Sequence, residues 1–184
     1  MLETDGTLGR IMKIRLGAWA VLALMVASSS SALAQVKREH RGDFRDWSTF
    51  VDTQADGSKI CYMTSIPKQS RLSERGATRG EPYVMVAHWP SRGERGVVSI
   101  AGGTDYRSGA DVILTVGDKS FELYGDGDIA WTYGLEEDAR IVTTMKAGVT
   151  MTIKAVAARG YSITDSYSLR GFTAAFNQIS SNCG

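Results

Sequence analysis

Few side chains in this sequence are suited to chemistry. Its 184 residues include two cysteines and two histidines, His40 and His88. Neither histidine lies in a His/Cys cluster with the spacing of metal ligands. His88 shares its strand parity with Val84 and Val86, a position typical of a half-buried structural histidine. The sequence therefore specifies no zinc site and no cysteine–histidine nucleophile, and it predicts no cofactor.

Asp165 is the remaining candidate for acid–base chemistry. In the segment 161–168, YSITDSYS, the apolar residues share one parity, and Asp165 falls on their side. A carboxylate that points at a core can be a tuned acid or base. It can also accept backbone N–H bonds, because a buried charge needs partners. Since no second catalytic group is near in sequence, we favour a structural junction between this strand and a following helix.

A candidate partner-binding surface consists of basic residues in two neighbouring loops. Its six members are Lys68, Arg71, Arg75, Arg79, Arg92 and Arg95. If the loops share one end of the domain, they form a basic patch suited to an acidic partner or an anionic lipid. A solvated loop without a partner is the alternative. The Arg-Gly-Asp triplet at 41–43 is interpreted as a chance match, because the chain has several Arg-Gly pairs.

The first 34 residues are predicted to be a cleaved signal peptide. A basic region precedes the apolar run 16–27, which is shorter than the roughly 20 residues that span a bilayer. The small-x-small sequence Ala32–Ala34 predicts cleavage after Ala34. An uncleaved N-terminal anchor is the alternative. Because the preface before the basic region is acidic, the start of translation is left open between Met1 and Met12.

The segment after the predicted cleavage site has a balanced charge. It contains 18 basic and 18 acidic residues, which gives no reason to expect nucleic-acid binding. It has no second long apolar stretch, so we expect no membrane span in the mature form. Together with the signal peptide, these features predict a periplasmic or secreted protein.

The two cysteines, Cys61 and Cys183, are predicted to form a disulfide. An even cysteine count in an exported chain is typical of a bridge, and two free buried thiols are the alternative. Cys183 also completes a helical stripe of apolar residues that begins at Leu169, with spacings of three and four. If this stripe docks on the sheet, it carries the thiol of Cys183 towards the core.

The remaining pattern indicates a mainly β protein. Residues 35–45 are polar and aperiodic, and we interpret them as a flexible leader before a single domain at 46–184. Short alternating runs separated by turn residues predict eight or nine strands. The clearest alternation is VTMTIKA (149–155), which predicts a strand with one wet face. The segment 135–148 has a helical period instead, with Leu135, Ala139, Val142 and Met145 on one face. This order predicts an Ig-like antiparallel β-sandwich with one internal helix and a disulfide-anchored C-terminal helix.

Four segments carry a resemblance to a known family. In order, they are CYMTSIP (61–67), RGEPYVMV (79–86), VTTMKAGVTMTI (142–153) and DSYSLRGFTAAF (165–176). Through them, most of the chain from Trp47 to Cys183 resembles the invasion-associated locus B family of exported proteins from Gram-negative bacteria. The resemblance implies an Ig-like β-sandwich, a periplasmic or exported location and no established catalytic site. Named members of the family are linked to host-cell invasion.

These observations lead to three functional hypotheses. The first is a non-enzymatic exported protein that binds, through its surface, a protein of the envelope or of a host cell. The second is a periplasmic accessory or stress-related protein that binds other envelope proteins. The third is an enzyme that uses Asp165 or the 102–111 loop.

Overall fold

The computed structural model describes residues 36–183, and the predicted signal peptide lies outside them. The described part contains eleven strands, one 3₁₀ turn (Pro90–Arg92) and two helices, α1 (Leu135–Ala147) and α2 (Phe172–Cys183). The strands are β1 (Lys37–Phe44), β2 (Trp47–Thr53), β3 (Lys59–Ser65), β4 (Gln69–Leu72), β5 (Tyr83–Trp89), β6 (Glu94–Ala101), β7 (Asp111–Val116), β8 (Lys119–Asp126), β9 (Ile129–Trp131), β10 (Thr150–Val156) and β11 (Ser162–Ser168).

All eleven strands belong to one antiparallel sheet. Their order is β1-β2-β3-β5-β6-β9-β8-β7-β10-β11-β4. The three-residue strand β9 joins a first half (β1, β2, β3, β5, β6) to a second half (β8, β7, β10, β11, β4). Buried side chains of both halves form one hydrophobic cluster, so the halves enclose a common core. The predicted mainly antiparallel β fold is confirmed, and its two layers are continuous through β9.

The alternation of side chains explains why one face of each strand lies in this core. In β10, Met151, Ile153 and Ala155 are buried, whereas Thr150 and Lys154 are exposed. Successive side chains of a strand point to opposite faces, so every second apolar residue reaches the core. Each large apolar side chain that is fully buried in this way stabilises the fold by roughly 1.5–3 kcal/mol.

Helix α1 packs on β6 through a face that agrees in part with the predicted one, since Val142 and Met145 are buried as expected. The sequence placed Leu135 and Ala139 on the buried side, but both are exposed. The buried residues of α1 are Asp138, Ile141, Val142 and Met145. Asp138 belongs to the buried face, where its carboxylate accepts the Val98 backbone N–H across the interface (2.9 Å). The contact between α1 and β6 therefore includes a buried polar group that an apolar period cannot predict.

The predicted terminal helix and its disulfide are confirmed. Helix α2 packs on β2, β3 and β5 of the first half. The disulfide joins Cys61 of β3 to Cys183, with an S–S distance of 2.02 Å and a Cα–Cα distance of 5.9 Å. At the other end of the helix, the rings of Trp47 and Phe172 meet edge to face with centroids 5.0 Å apart. Helix α2 is therefore fixed to the first half at both of its ends.

A glycine permits the tight entry into α2. Gly171 has a φ of 92°, a conformation that side chains with a Cβ rarely adopt. A Cβ at this position would also collide with the carbonyl oxygen of Phe44. The chain therefore turns from β11 into α2 directly against the end of β1.

The predicted flexible leader requires a correction. Residues 37–44 form β1, which pairs with β2 from Lys37 opposite Thr53 to Phe44 opposite Trp47. The strand was missed because it lies at the sheet edge, where most of its side chains are exposed and show no apolar alternation. The polar stretch after β3 likewise contains a short edge strand, β4, paired with β11.

Candidate functional site

The six basic residues of the predicted surface do not form one patch. The 73–82 loop precedes the first residue of β5, whereas Arg92 lies in the 3₁₀ turn after its last residue and Arg95 lies near the start of β6. A seven-residue strand is about 20 Å long, so the two basic groups lie at opposite ends of it. The two loops therefore do not lie at the same end of the domain, as a single basic patch would require.

The basic residues near β4 also differ in their environments. Arg71 and Arg75 are exposed, and Lys68 forms an ion pair with Asp46 (2.6 Å). The side chain of Arg79 is only 5% exposed. Arg79 is therefore part of the interior rather than of a surface that meets a partner.

Asp165 is the buried partner of Arg79. Its side chain is 3% exposed and receives a charge-assisted hydrogen bond from Arg79 Nη2. Arg79 also donates to the Ser70 hydroxyl (2.5 Å) and to the Gly102 carbonyl oxygen (2.8 Å). Asp165 lies in the middle of β11, so the predicted junction with the terminal helix is replaced by an ion pair with a loop 86 residues earlier. This contact ties β4, β11 and two loops together.

His88 is held inside the first half by two hydrogen bonds. Its Nδ1 accepts the Gly96 backbone N–H (2.8 Å), so its proton is on Nε2, which donates to the Ser180 hydroxyl of α2 (2.9 Å). Burial lowers the pKa of His88, and the nearby charges of Arg95 and Lys146 lower it further. A neutral histidine thus links the sheet to α2.

Asp138 has a similar structural environment. Its Oδ1 accepts the Val98 N–H and the Thr132 hydroxyl, both at 2.9 Å. Burial raises the pKa of Asp138, and these two hydrogen bonds oppose the shift. Like His88 and Asp165, this ionisable group is engaged in packing contacts and has almost no exposed surface.

The outer face of the first half carries a groove rich in aromatic residues. We define the aromatic groove by its lining, which is Arg38, Phe50, Asp52, Ile60, Tyr62, Thr64, Ile66, Tyr83, Met85 and Trp89. It encloses about 520 Å³ and crosses β1, β2, β3 and β5. Ile66 is 61% exposed and Tyr83 is 37% exposed. Apolar surface of this kind on the water-facing side of a sheet is typical of an interaction site.

The centre of the aromatic groove is a stacked aromatic pair beside an ion pair. The rings of Phe50 and Tyr62 stack with centroids 5.3 Å apart. Arg38 donates to both carboxylate oxygens of Asp52 (2.9 and 2.8 Å), and its guanidinium lies over the Tyr62 ring. The hydrogen bond to Asp52 raises the pKa of Arg38, and burial raises the pKa of Tyr62 to about 12. The two charged groups at the centre of the groove are therefore paired with each other.

Aromatic residues continue along the sheet beyond the groove. Met85 pairs with Ser99, which pairs with Trp131, which in turn pairs with Tyr124. The Tyr124 ring contacts Tyr133 with centroids 5.3 Å apart. The outer face of β10 and β11 instead presents Thr152, Lys154, Thr164 and Ser166. The aromatic character thus belongs to one side of the molecule.

A second shallow cavity lies between β8 and α1. It encloses about 600 Å³, and its lining includes Phe121, Glu136, Arg140 and Thr143. Phe121 is the one aromatic residue of this lining, and the others are polar or charged residues and one alanine. Although this cavity is the larger, the aromatic groove offers more uncovered apolar surface to a partner.

Sequence reasoning missed the aromatic groove, although a signal was present. In β3 and β5, residues of both parities are apolar or aromatic, as in YVMVAHW. A strand with one wet face shows strict alternation, so apolar residues on both faces indicate a second contact surface. Within residues 36–183, no group of three His, Cys, Asp or Glu residues is placed to hold a metal ion. No helix of the same region is long and apolar enough to cross a membrane.

Comparison with known proteins gives a family but no individual relative. The family model described as Invasion associated locus B (IalB) protein matches residues 47–180. This match covers the sheet from β2 onwards and nearly all of α2. No curated protein and no solved structure gives a significant match.

Proposed function

Because the chain belongs to the invasion-associated locus B family, we propose that it is an exported, non-enzymatic protein that binds a protein of the cell envelope or of a host cell. The observation that carries this proposal is the aromatic groove on the outer face of the first half. It presents aromatic and aliphatic side chains around a neutral Arg38–Asp52 pair. Interface centres are enriched in aromatic residues, methionine and arginine and depleted in unpaired charge.

The disulfide supports an exported location. Cys61 is fully buried and bonded to Cys183 across 122 residues of sequence. Such bridges persist in oxidising compartments and are rare in the cytosol. We expect N-terminal sequencing of the mature protein to begin at Gln35, as cleavage after Ala34 requires.

The surroundings of the buried ionisable groups support a non-enzymatic role. A catalytic acid or base must reach a bound substrate. Asp138 and Asp165 are each 2% exposed, His88 is 0% exposed, and all three have protein partners. None of them lines the aromatic groove.

Quantitative affinity capture tests the proposal. The purified, disulfide-bonded protein is immobilised and exposed separately to envelope extract of the producing bacterium and to solubilised host-cell membranes. We expect Tyr83→Ala to reduce capture of a specific protein by about tenfold or more, as loss of an interface anchor does. Tyr124→Ala is the matched control, because this tyrosine has similar exposure (43%) but lies outside the groove.

The two arms of the experiment separate the two binding hypotheses. A partner found in the envelope extract supports the accessory role, and one found in host membranes supports a role in invasion. A partner captured equally by wild type and Tyr83→Ala would refute the assignment of function to the groove. Turnover of a substrate that disappears in a stably folded Asp165→Asn variant would overturn the non-enzymatic part of the proposal.

A further inference from the structure

We propose that the aromatic groove binds an uncharged, proline-rich segment of its partner in the polyproline II conformation. This inference rests on the proposed function, because it specifies the chemistry of the protein that the groove contacts. Three properties of the groove support it: its dimensions, its hydrogen-bond donors and its charge.

The groove has the length of two polyproline turns. Tyr83 and Trp89 lie at the two ends of β5, and both belong to the lining. Six residues of strand extend over about 20 Å. A polyproline II helix rises about 3.1 Å per residue with three residues per turn, so about six of its residues cover this distance. Between the two ends, Met85, Thr64 and Tyr62 form a shallow floor.

The side chains of the groove match the surface of such a helix. Proline-rich segments dock in shallow grooves lined by aromatic residues, and their preformed conformation reduces the entropy lost on binding. Here the Phe50–Tyr62 stack lies between Arg38 and the strand that carries Tyr83 and Trp89. Phe50, Tyr83 and Trp89 offer apolar surface to proline side chains, whereas Tyr62 is only 8% exposed and serves as the ring against which Phe50 stacks.

Hydrogen-bond donors are placed along the same lining. A polyproline II backbone has no internal hydrogen bonds, so its carbonyl oxygens seek donors. Trp89 carries an indole N–H, Tyr83 a hydroxyl, and Arg38 a guanidinium with five N–H donors. Arg38 contributes its Nε and Nη2 atoms to Asp52, and its side chain is still 64% exposed. The groove is therefore richer in donors than in acceptors, which complements an acceptor-rich backbone.

The charge of the groove selects an uncharged segment. Arg38 and Asp52 are the charged members of the lining, and they neutralise each other at 2.8 Å. The lining itself offers no unpaired charge to an acidic or basic segment. The Arg92 guanidinium, which is not part of the lining, lies over the Trp89 ring at one end of the groove (5.1 Å).

The sheet topology excludes strand addition at three of the four strands that the groove crosses, since only β1 among them lies at the sheet edge. The strands β2, β3 and β5 each have a hydrogen-bonded neighbour on both sides. Their backbone groups are already paired, whereas strand addition requires an open sheet edge. A ligand that lies over β2, β3 and β5 therefore binds through side chains on the face of the sheet, a mode that a polyproline II helix can use.

NMR titration of the purified, ¹⁵N-labelled, disulfide-bonded protein tests the inference. The probes are decaproline and a Gly-Ser decapeptide of equal length. We expect decaproline to shift the amide signals of Tyr83, Met85 and Trp89 saturably, and the Gly-Ser peptide to leave them in place. Tyr83→Ala should weaken decaproline binding by about tenfold. Tyr124→Ala should leave the affinity unchanged.

A second variant, Ile66→Ser, distinguishes weaker binding from unfolding of the protein. Ile66 is 61% exposed, so Ile66→Ser preserves the fold, and it should also weaken binding severalfold. Absence of saturable shifts at millimolar decaproline would refute the inference, as would shifts of equal size with the Gly-Ser peptide. A neutral chito-oligosaccharide that shifts the groove signals when decaproline does not would reassign the groove to carbohydrate. If groove-dependent capture of a protein persists without decaproline binding, the proposed function stands and this inference fails.

Discussion

Removal of the Arg79 guanidinium should destabilise the protein strongly. In an Arg79→Leu variant, the Asp165 carboxylate stays in an environment where only 3% of its side chain meets water. Breaking a buried ion pair by removing one partner costs about 3–5 kcal/mol, because the other charge is left uncompensated. The variant also loses the bonds to Ser70 and Gly102. The expected loss is a large part of the roughly 5–15 kcal/mol by which domains are stable.

Urea denaturation followed by tryptophan fluorescence, with the disulfide intact, measures this loss. For a domain of this size, the same change lowers the melting temperature by roughly 6–20 °C. Arg75→Leu is the matched control, because this exposed arginine lies in the same loop, and it should change the free energy of unfolding by less than about 0.5 kcal/mol. The double variant Arg79→Leu/Asp165→Leu should recover most of the loss, since both charges are gone.

The stabilities of the single and the double variant can refute the role assigned to the Arg79–Asp165 ion pair. An Arg79→Leu variant that loses less than about 1 kcal/mol would show that Asp165 does not depend on Arg79. A double variant no more stable than Arg79→Leu would show that the bonds to Ser70 and Gly102, rather than the charge pair, account for the loss.

Three further predictions concern stability. Cys183→Ser should lower the free energy of unfolding by up to about 4–5 kcal/mol, because the unfolded chain gains entropy without the bridge. Non-reducing mass mapping of the wild type should show Cys61 linked to Cys183, and a free thiol at either position would contradict this. Because the pKa of His88 is lowered in the folded state, the unfolded state binds more protons as the pH falls below about 6.5. The contribution of His88 to the free energy of unfolding should therefore be complete above that pH and decrease below it. In His88→Gln, the free energy of unfolding should depend less on pH in this range. The buried Tyr167 hydroxyl has no hydrogen-bond partner within residues 36–183. Tyr167→Phe should therefore raise the free energy of unfolding by about 1 kcal/mol. A lower melting temperature for this variant would contradict the prediction and would show that the hydroxyl has a partner. Tyr106→Phe, which removes a bonded hydroxyl, is its control and should give no gain.

The sequence predicted those helices and strands in which apolar residues repeat regularly along one buried face. The stripe from Leu169 to Cys183 identified α2, and the alternation in β10 identified a strand with one wet face. Edge strand β1 was missed because most of its side chains are exposed, so no apolar alternation marks it. In α1 the period was correct and Val142 and Met145 are buried as predicted. The other two predicted residues, Leu135 and Ala139, are exposed, and Asp138 is buried where it binds the backbone of β6.

The contacts that define the candidate site depend on tertiary structure. Arg79 and Asp165 are 86 residues apart, and no local pattern connects them. The aromatic groove combines residues of four strands, whose order in the sheet no single segment specifies. Apolar residues of both parities in β5 could have indicated a second contact face, but not its neighbours. The basic residues were grouped by sequence proximity, and the length of β5 separates them.

Site-specific photo-crosslinking in living cells tests the central claim most directly. A photoreactive residue is placed at Ile66, which is largely exposed at the edge of the aromatic groove, and separately at Lys154, which is exposed on the polar outer face of β10. We predict that irradiation joins a specific protein to the variant labelled at position 66 and none to the variant labelled at position 154. Equal adducts from both positions, or an adduct from position 154 alone, would contradict the claim that the aromatic groove is the binding surface.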